Sequence, residues 1–263
     1  MVNTLRCLFV RWAVRGFALA CVVAAAGCAH VAPGANGGTL DRERLSNAVS
    51  LDDVSEVRAL VEARVISVND MVPGVGYSTT PLITVAARHA ALNVLRYLIA
   101  AKADLDARTP DNDTALMLAA FFAHEDRDRG SVSHERYDQA VRLLVEAGAE
   151  LENYGNSYTP LAYAAYSGRD STVRYLIEKG ARVNADAQGR MISVNTPLMM
   201  ATIQGHQNAA RQLLRAGADA GVRVEGGMSA GDFAQKYKQT HLMQMLRCAE
   251  SLRPGESFSK RCE

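Results

Sequence analysis

Apolar residues recur along most of the chain as pairs of short helical patterns separated by polar turns. The second pattern of a pair carries aliphatic residues at helical spacing, as in 141–145, 173–177, 210–214 and 242–246. The first pattern is shorter and richer in alanine, as in 114–120, 159–165, 196–202 and, in divergent form, 229–234. Apolar residues three and four positions apart predict amphipathic helices. The chain is therefore expected to be built from repeated helix–turn–helix units.

The residues at the predicted helix boundaries repeat as well. Thr159-Pro160 and Thr196-Pro197 each precede a short helix. A threonine there can accept a hydrogen bond from a free backbone N–H, and proline fits the first helical position because its N–H is not needed. A glycine followed by alanine closes three units, at Gly148, Gly180 and Gly217. Glycine permits the left-handed conformation that ends many helices.

With these motifs the sequence resembles ankyrin-repeat proteins. One unit holds the Thr-Pro-Leu turn at 196–198, the Gly-His turn at 205–206 and the Gly-Ala-Asp step at 217–219. The Val-Asn ending of the family pattern occurs in another unit, at 183–184. The resemblance extends over residues 43–246. It implies an all-α solenoid of stacked helix–turn–helix units with β-turn or hairpin fingers, in which stacking buries a core that one unit lacks.

The spacing of the units locates the insertions. Unit starts fall at 43, 81, 114, 159, 196 and 229, whereas the family period is about 33 residues. The largest insertion lies between the two helices of the third unit, within 121–139, and the other two lie in the fingers, at 71–77 and 186–192. Insertions in a solenoid form loops on one face, which is often the binding face.

The first 30 residues have a different pattern. Arg6, Arg11 and Arg15 precede an apolar run from 17 to 26, which is shorter than the roughly 20 residues of a membrane-spanning helix. The run ends in Ala25-Ala26-Gly27-Cys28. This segment resembles a bacterial lipoprotein signal peptide, with Ala25 in place of the usual leucine. The resemblance implies cleavage before Cys28 and lipidation of its thiol.

Three alternatives to this cleavage stay open: a cut at Ala20-Cys21, an ordinary secretory signal, or a short anchor that is not cleaved. The lipoprotein interpretation gives a signal peptide at 1–27, a flexible tether at 28–39, an ankyrin domain at 40–252 (about five repeats plus a C-terminal cap) and a tail at 253–263. Ala29 after the cysteine implies, by the same resemblance, sorting to the outer membrane of a diderm bacterium. We therefore expect a periplasmic protein held by a lipid anchor.

Two cysteines, Cys248 and Cys262, lie near the end of the chain. An oxidising periplasm would favour a disulfide between them, and two unpaired thiols are the alternative.

Composition and charge exclude several classes of protein. With 48% hydrophobic and 22% charged residues, the chain is neither wholly disordered nor a polytopic membrane protein. Its 29 basic and 28 acidic residues leave no basic excess to neutralise phosphates, so a nucleic-acid partner is not expected.

The sequence carries no recognisable catalytic or metal-binding motif. His124-Glu125 and His134-Glu135 lie in the insertion, but no His-Glu-x-x-His, nucleophile elbow or phosphate-binding loop occurs. Asp104 and Asp106 resemble half of a cation loop, yet they stand where the ankyrin pattern places its structural ending. We expect no enzyme activity, metal, cofactor or small-molecule substrate. A metal-dependent enzyme built on the inserted loop is the remote alternative.

The ankyrin resemblance instead implies recognition of a protein on the concave face. Carried over position by position, it gives the partner-binding residues Arg88, His89, Phe121, Phe122, Tyr158, Tyr166, Ile203 and Gln204. Phe121 and Phe122 could alternatively pack beneath the insertion, and Tyr163 and Tyr175 are expected in the core. The expected partner is another envelope protein bound by a monomer. An inhibitor or immunity protein acting on a periplasmic enzyme or toxin is a narrower alternative.

Overall fold

The computed structural model describes residues 37–73, 79–121, 133–152, 158–184, 196–223 and 227–263. Within these ranges the chain forms helices in sequential pairs and one short hairpin. The helices are α1 (Gly37–Ser50), α2 (Val54–Glu62), α3 (Leu82–Arg88), α4 (Leu92–Ala100), α5 (Ala115–Phe121), α6 (His134–Glu146), α7 (Pro160–Tyr166), α8 (Asp170–Glu178), α9 (Pro197–Gln204), α10 (Gln207–Arg215), α11 (Ala230–Lys236), α12 (Thr240–Glu250) and α13 (Phe258–Arg261). Strands β1 (Met71–Pro73) and β2 (Thr79–Pro81) pair antiparallel, with Met71 opposite Pro81.

The helix pairs stack side by side in two rows. The odd-numbered helices α1 to α11 form an inner row and the even-numbered helices α2 to α12 an outer row. Helices of the inner row pack more closely against one another than those of the outer row do. A stack bends toward the row whose members are closer, so the inner row lies on the concave side. This is the all-α solenoid that the repeats predict.

One continuous core runs through the stack. Alanines of the inner row are fully buried, including Ala119, Ala164 and Ala201. Their small side chains allow neighbouring helices to approach closely. On the outer row Leu144 and Leu213 are fully buried, and burial of each such leucine stabilises the fold by about 1.5–3 kcal/mol.

The helix starts follow the predicted chemistry. Thr159 Oγ1 accepts a hydrogen bond from the Ala162 amide at 3.2 Å, and Thr196 Oγ1 accepts one from the Met199 amide at 3.3 Å. In the last unit Ser229 and Asp232 form a capping box in place of the Thr-Pro turn. Local sequence therefore fixes where the inner helices begin.

The turn that follows each outer helix from α2 to α10 is left-handed. Gly148, Gly180 and Gly217 occupy it with φ of 97°, 94° and 91°. In the first two units Arg64 and Lys102 hold the same turn with φ of 54° and 62°. Side chains other than glycine adopt this conformation at a cost, so at this turn the first two units carry backbone strain that the next three avoid.

Side chains in the fingers bond several neighbouring units together. Asn69 Oδ1 accepts from the Asp104 amide at 2.8 Å, Asp106 Oδ1 from the Glu150 amide at 3.0 Å, and Asn184 Oδ1 from the Asp219 amide at 2.9 Å. Asp106 thus has the structural role expected from the ankyrin pattern.

The two ends of the folded region differ from the expected boundaries. Helix α1 begins at Gly37, inside the segment expected to be a flexible tether. At the other end the expected tail contains α13, whose Phe258 is only 5% exposed. The sulfur atoms of Cys248 and Cys262 are bonded to each other. The tail is therefore part of the packed domain, because a covalent bond and a buried ring attach it. Among the described residues, no helix is both long enough and apolar enough to cross a membrane.

Candidate functional site

Four aromatic rings meet on the inner row, between the third and fourth units. The Phe121 ring lies edge-on to Tyr163, with centroids 5.2 Å apart, and stacks on Tyr166 at 6.0 Å. The Tyr158 ring lies edge-on to Tyr163 at 5.8 Å. All four side chains are half-buried, so each presents an edge or face to solvent. We call Phe121, Tyr158, Tyr163 and Tyr166 the aromatic cluster.

Local structure explains how these rings come together. Tyr163 and Tyr166 are three residues apart on α7 and therefore share one face of the helix. Tyr158 immediately precedes Thr159, the residue that caps α7. Phe121 is the last residue of α5, the neighbouring helix of the inner row. Helices α5 and α7 and the residue before the α7 cap thus bring all four rings to one place on the concave side.

Hydrogen bonds fix the cluster further. The Tyr163 hydroxyl donates to Asp113 Oδ1 at 2.9 Å. Ser167 Oγ, just after α7, donates to the Phe121 carbonyl oxygen at 2.8 Å. A rigid, half-exposed group of tyrosines can bury a large area against a partner at low entropic cost, which is the property of interface anchors.

A buried arginine holds the neighbouring turn. Arg169, the residue before α8, has a side chain only 3% exposed and is ion-paired with Asp138 on α6. Its Nη1 donates to the Ala119 carbonyl oxygen at 2.6 Å, and its Nη2 to the His134 carbonyl oxygen at 3.2 Å. Ala119 is near the end of α5 and His134 begins α6. Arg169 therefore ties together the two helices between which the large insertion runs.

The carboxylate of Asp138 is stabilised in its charged form. Burial acts to raise its pKa, but hydrogen bonds from Ser171 and Thr172 and the charge and hydrogen bond of Arg169 act in the opposite direction. The net result is a pKa below the ordinary value of 3.8. Charged partners and donors thus outweigh desolvation.

The structure brings together only some of the partner-binding residues predicted from sequence. Phe121, Tyr158 and Tyr166 lie in the aromatic cluster. Arg88 and His89 are half-buried at the end of α3, in an earlier unit, and the Arg88 carbonyl oxygen accepts from the Tyr137 hydroxyl at 2.9 Å.

In the fifth unit Ile203 is half-buried against the core, whereas Gln204 is exposed. Phe122 and Cys28 lie outside the described residues. Of the two tyrosines expected in the core, Tyr175 is 5% exposed. Tyr163 packs against the core but is partly exposed, and its hydroxyl donates to Asp113 Oδ1.

Sequence reasoning also missed Arg169. Its position in the repeat could have indicated its role. Arg169 follows Gly168 in the fourth unit, at the position where His206 follows Gly205 in the fifth. The His206 ring has the turn role expected of it, since Nε2 lies 3.0 Å from the Tyr166 carbonyl oxygen. Arginine at the equivalent place extends further and reaches two neighbouring helices.

No group of three metal-ligating side chains occurs in the parts of the chain that the structure describes. His134 is exposed at the start of α6, and His124 and Glu125 fall outside the described ranges.

Comparison with known families finds ankyrin repeats in two parts of the chain. A family model described as "Ankyrin repeats (3 copies)" matches residues 131–224, and a single "Ankyrin repeat" model matches residues 78–110. Comparison with curated proteins gives no match.

Proposed function

Because the chain contains ankyrin repeats stacked into an all-α solenoid, we propose that it is a membrane-tethered periplasmic protein that binds another envelope protein on its concave side. Ankyrin repeats are characteristic of protein–protein interaction modules. The observation that carries the proposal is the aromatic cluster, in which four half-buried rings stand together on the inner row. Its anchors are Phe121, Tyr158, Tyr163 and Tyr166.

The proposed location rests on the N-terminal sequence and on the disulfide. Basic residues, a short apolar run and Ala25-Ala26-Gly27-Cys28 together favour a lipoprotein signal. The multiple acyl chains of a lipoprotein would hold the protein firmly, whereas a single chain binds membranes only marginally. The Cys248–Cys262 disulfide suits an oxidising compartment. Ala29 after the lipidated cysteine favours the outer membrane.

In this proposal the protein binds and does not catalyse. Ankyrin-repeat proteins are generally non-enzymatic scaffolds. The binding surface consists of aromatic rings supported by neutral and acidic hydrogen-bond partners, which is suited to a protein surface. The protein acts as a monomer and uses no cofactor, nucleic acid or small-molecule substrate.

Affinity capture tests the binding surface. Tagged full-length protein would be purified from detergent-solubilised envelopes as wild type, as Tyr163→Ala/Tyr166→Ala and as Tyr97→Ala. Tyr97 is also half-buried but lies on the outer row, so it is the matched control. We expect one protein to be recovered with wild type and Tyr97→Ala and to be lost with the double variant. Equal recovery from all three would refute the role of the cluster.

Cell fractionation tests the location separately. Cys28→Ala should move the protein from the membrane fraction to the soluble fraction and abolish incorporation of labelled fatty acid. Unchanged fractionation and labelling would rule out Cys28 as the anchor.

A narrower role as an inhibitor or immunity protein is favoured by one arrangement. The large insertion follows α5, whose last residue, Phe121, belongs to the aromatic cluster. Arg169 ties together α5 and α6, the helices on either side of the insertion. An insertion whose flanking helices are tied together in this way would suit contact with a target enzyme. Protection of cells that carry a periplasmic toxin, lost when residues 123–132 are replaced by a short Gly/Ser linker, would support this role. Full protection with the linker would exclude a part for the insertion.

A further inference from the structure

The outer row carries arginines in register. Every outer helix from α2 to α10 has an arginine three residues before its last aliphatic residue, and the set is Arg58, Arg96, Arg142, Arg174 and Arg211. All five side chains are exposed. They lie on the opposite side of the stack from the aromatic cluster. We call these five residues the arginine column.

Two guanidiniums of the column lie on tyrosine rings of the next unit. The Arg58 guanidinium lies over the Tyr97 ring of the next unit at 5.5 Å, and that of Arg142 over the Tyr175 ring of the next unit at 4.3 Å. Among the described residues, Arg58, Arg96, Arg142 and Arg174 form no ion pair. A guanidinium on an aromatic face keeps its N–H groups free at the edge.

The end of the column already holds a carboxylate. Arg211 Nε lies 3.4 Å from Glu263 Oε1. Arg215, four residues later on α10 and outside the column, donates through Nε to both side-chain oxygens of Glu263, at 3.0 and 2.9 Å. The disulfide at Cys262 fixes the residue next to Glu263. The chain itself therefore shows which group this end of the column binds.

The charges that border the column make it a narrow stripe. Three positions before each arginine stand neutral polar residues, namely Ser55, Asn93, Gln139, Ser171 and Asn208. Four positions after it stand Glu62, Ala100, Glu146, Glu178 and Arg215. A flat anionic surface would meet the three glutamates as well as the arginines. An occupant one chain wide would meet the arginines and avoid the like charges.

The spacing of the stripe favours one backbone conformation. Neighbouring packed helices lie about 8–10 Å apart, and successive arginines stand on neighbouring outer helices. A polyproline II segment has three residues per turn and rises about 3.1 Å per residue. Side chains at every third residue therefore point the same way at intervals of about 9 Å. A β-strand repeats on one face at about 6.6 Å and does not match.

We propose that the arginine column binds an extended acidic segment of a partner protein, with Asp or Glu at every third residue. This second interface lies on the face opposite the aromatic cluster and does not depend on it. Each carboxylate would pair with one guanidinium in the way that Glu263 pairs with Arg211.

Fluorescence anisotropy with the full chain tests the proposal. The probe is a labelled peptide of five Glu-Pro-Pro repeats, and the comparison peptide has the same composition with its five glutamates consecutive. We expect the spaced peptide to bind wild type about fivefold more tightly, because only its carboxylates match the spacing. Arg96→Gln/Arg142→Gln/Arg174→Gln should weaken binding of the spaced peptide about tenfold, since each exposed ion pair contributes modestly.

A matched variant controls for net charge. Arg64→Gln/Lys102→Gln/Lys238→Gln also removes three exposed basic residues, all of them outside the column, and should leave affinity within about twofold because no ion pair with the peptide is lost. Glu263→Gln should strengthen binding by freeing Arg211 and Arg215. Circular dichroism would verify that each variant is folded.

Several results would overturn the proposal. These are equal affinity for the two peptides, equal loss in the two triple variants, or no binding of either peptide at millimolar concentration. Column-dependent binding to phosphatidylglycerol vesicles without peptide binding would assign the column to a membrane surface and would likewise overturn it.

Discussion

The guanidinium of Arg169 is ion-paired with the carboxylate of Asp138, which joins the start of α8 to α6 in the preceding unit. The arginine is almost fully buried, whereas 21% of the aspartate side chain is exposed. The pair lies beside the aromatic cluster, because Arg169 also bonds to the end of α5 through the Ala119 carbonyl. We regard it as the main polar link between the third and fourth units.

Removal of Asp138 should therefore destabilise the protein. Asp138→Ala leaves a buried guanidinium without its counter-charge, and the expected loss in the free energy of unfolding is about 3–5 kcal/mol. Equilibrium unfolding in urea measures it. Arg169→Met/Asp138→Ala, which removes both charges, should recover part of the loss. Arg169→Met is the second single variant. If the loss in unfolding free energy in the double variant equals the sum of the losses in the two single variants, the residues are not coupled.

The stability contribution of Asp138 should depend on pH. Its pKa in the folded protein is below 3.8, so the ionised carboxylate favours the folded state. That contribution is present above the unfolded-state pKa of about 3.9 and is lost as pH falls through the lower folded-state value. The difference in unfolding free energy between wild type and Asp138→Asn should be larger at pH 7 than at pH 3. A difference that stays constant, or grows on acidification, would contradict the lowered pKa.

Sequence predicted the features of this fold that depend on neighbouring residues. Thr159-Pro160 and Gly180 indicate a helix start and a helix end through their own backbone preferences. Arg169 was missed because its role depends on Ala119 and Asp138, which are distant in sequence and come close only after stacking.

The aromatic cluster was predicted in part for a similar reason. The ankyrin resemblance supplied Phe121, Tyr158 and Tyr166. Tyr163 was assigned to the core because it takes an aliphatic position of the pattern, but a phenol needs a hydrogen-bond partner when it is partly buried. Asp113 supplies that partner from the preceding unit, and no local pattern reports such a contact.

The bonds between fingers should contribute measurably to stability. Asn184 Oδ1 accepts from the Asp219 amide at 2.9 Å, and its Nδ2 donates to the Gly217 carbonyl oxygen at 3.1 Å. Asn184→Ala removes both bonds and should lower the free energy of unfolding by about 1–2 kcal/mol. The control is Asn208→Ala, an exposed site on α10, which should leave stability equal or slightly higher. Equal losses in both variants would exclude a specific role for the finger bonds.

Lys102 offers a site for stabilisation. It holds the left-handed turn after α4 with φ of 62°, where the later units have glycine. Lys102→Gly should raise the free energy of unfolding by about 0.5 kcal/mol, since the relief of strain exceeds the entropic cost of glycine. Lys179, the residue after α8, has a negative φ that needs no glycine. Lys179→Gly should therefore lower the free energy of unfolding by about 0.5–1 kcal/mol. Thermal unfolding of both variants would show the opposite shifts, and a lower midpoint for Lys102→Gly would contradict the assignment of strain.

The central claim is that this solenoid binds a protein through the aromatic cluster. Isothermal titration of the captured partner into wild type and Tyr166→Ala tests it most directly. The account predicts that Tyr166→Ala keeps the circular dichroism spectrum of wild type and binds about tenfold more weakly, the loss expected of an interface anchor worth more than about 1 kcal/mol. Equal affinities for the two proteins would contradict it.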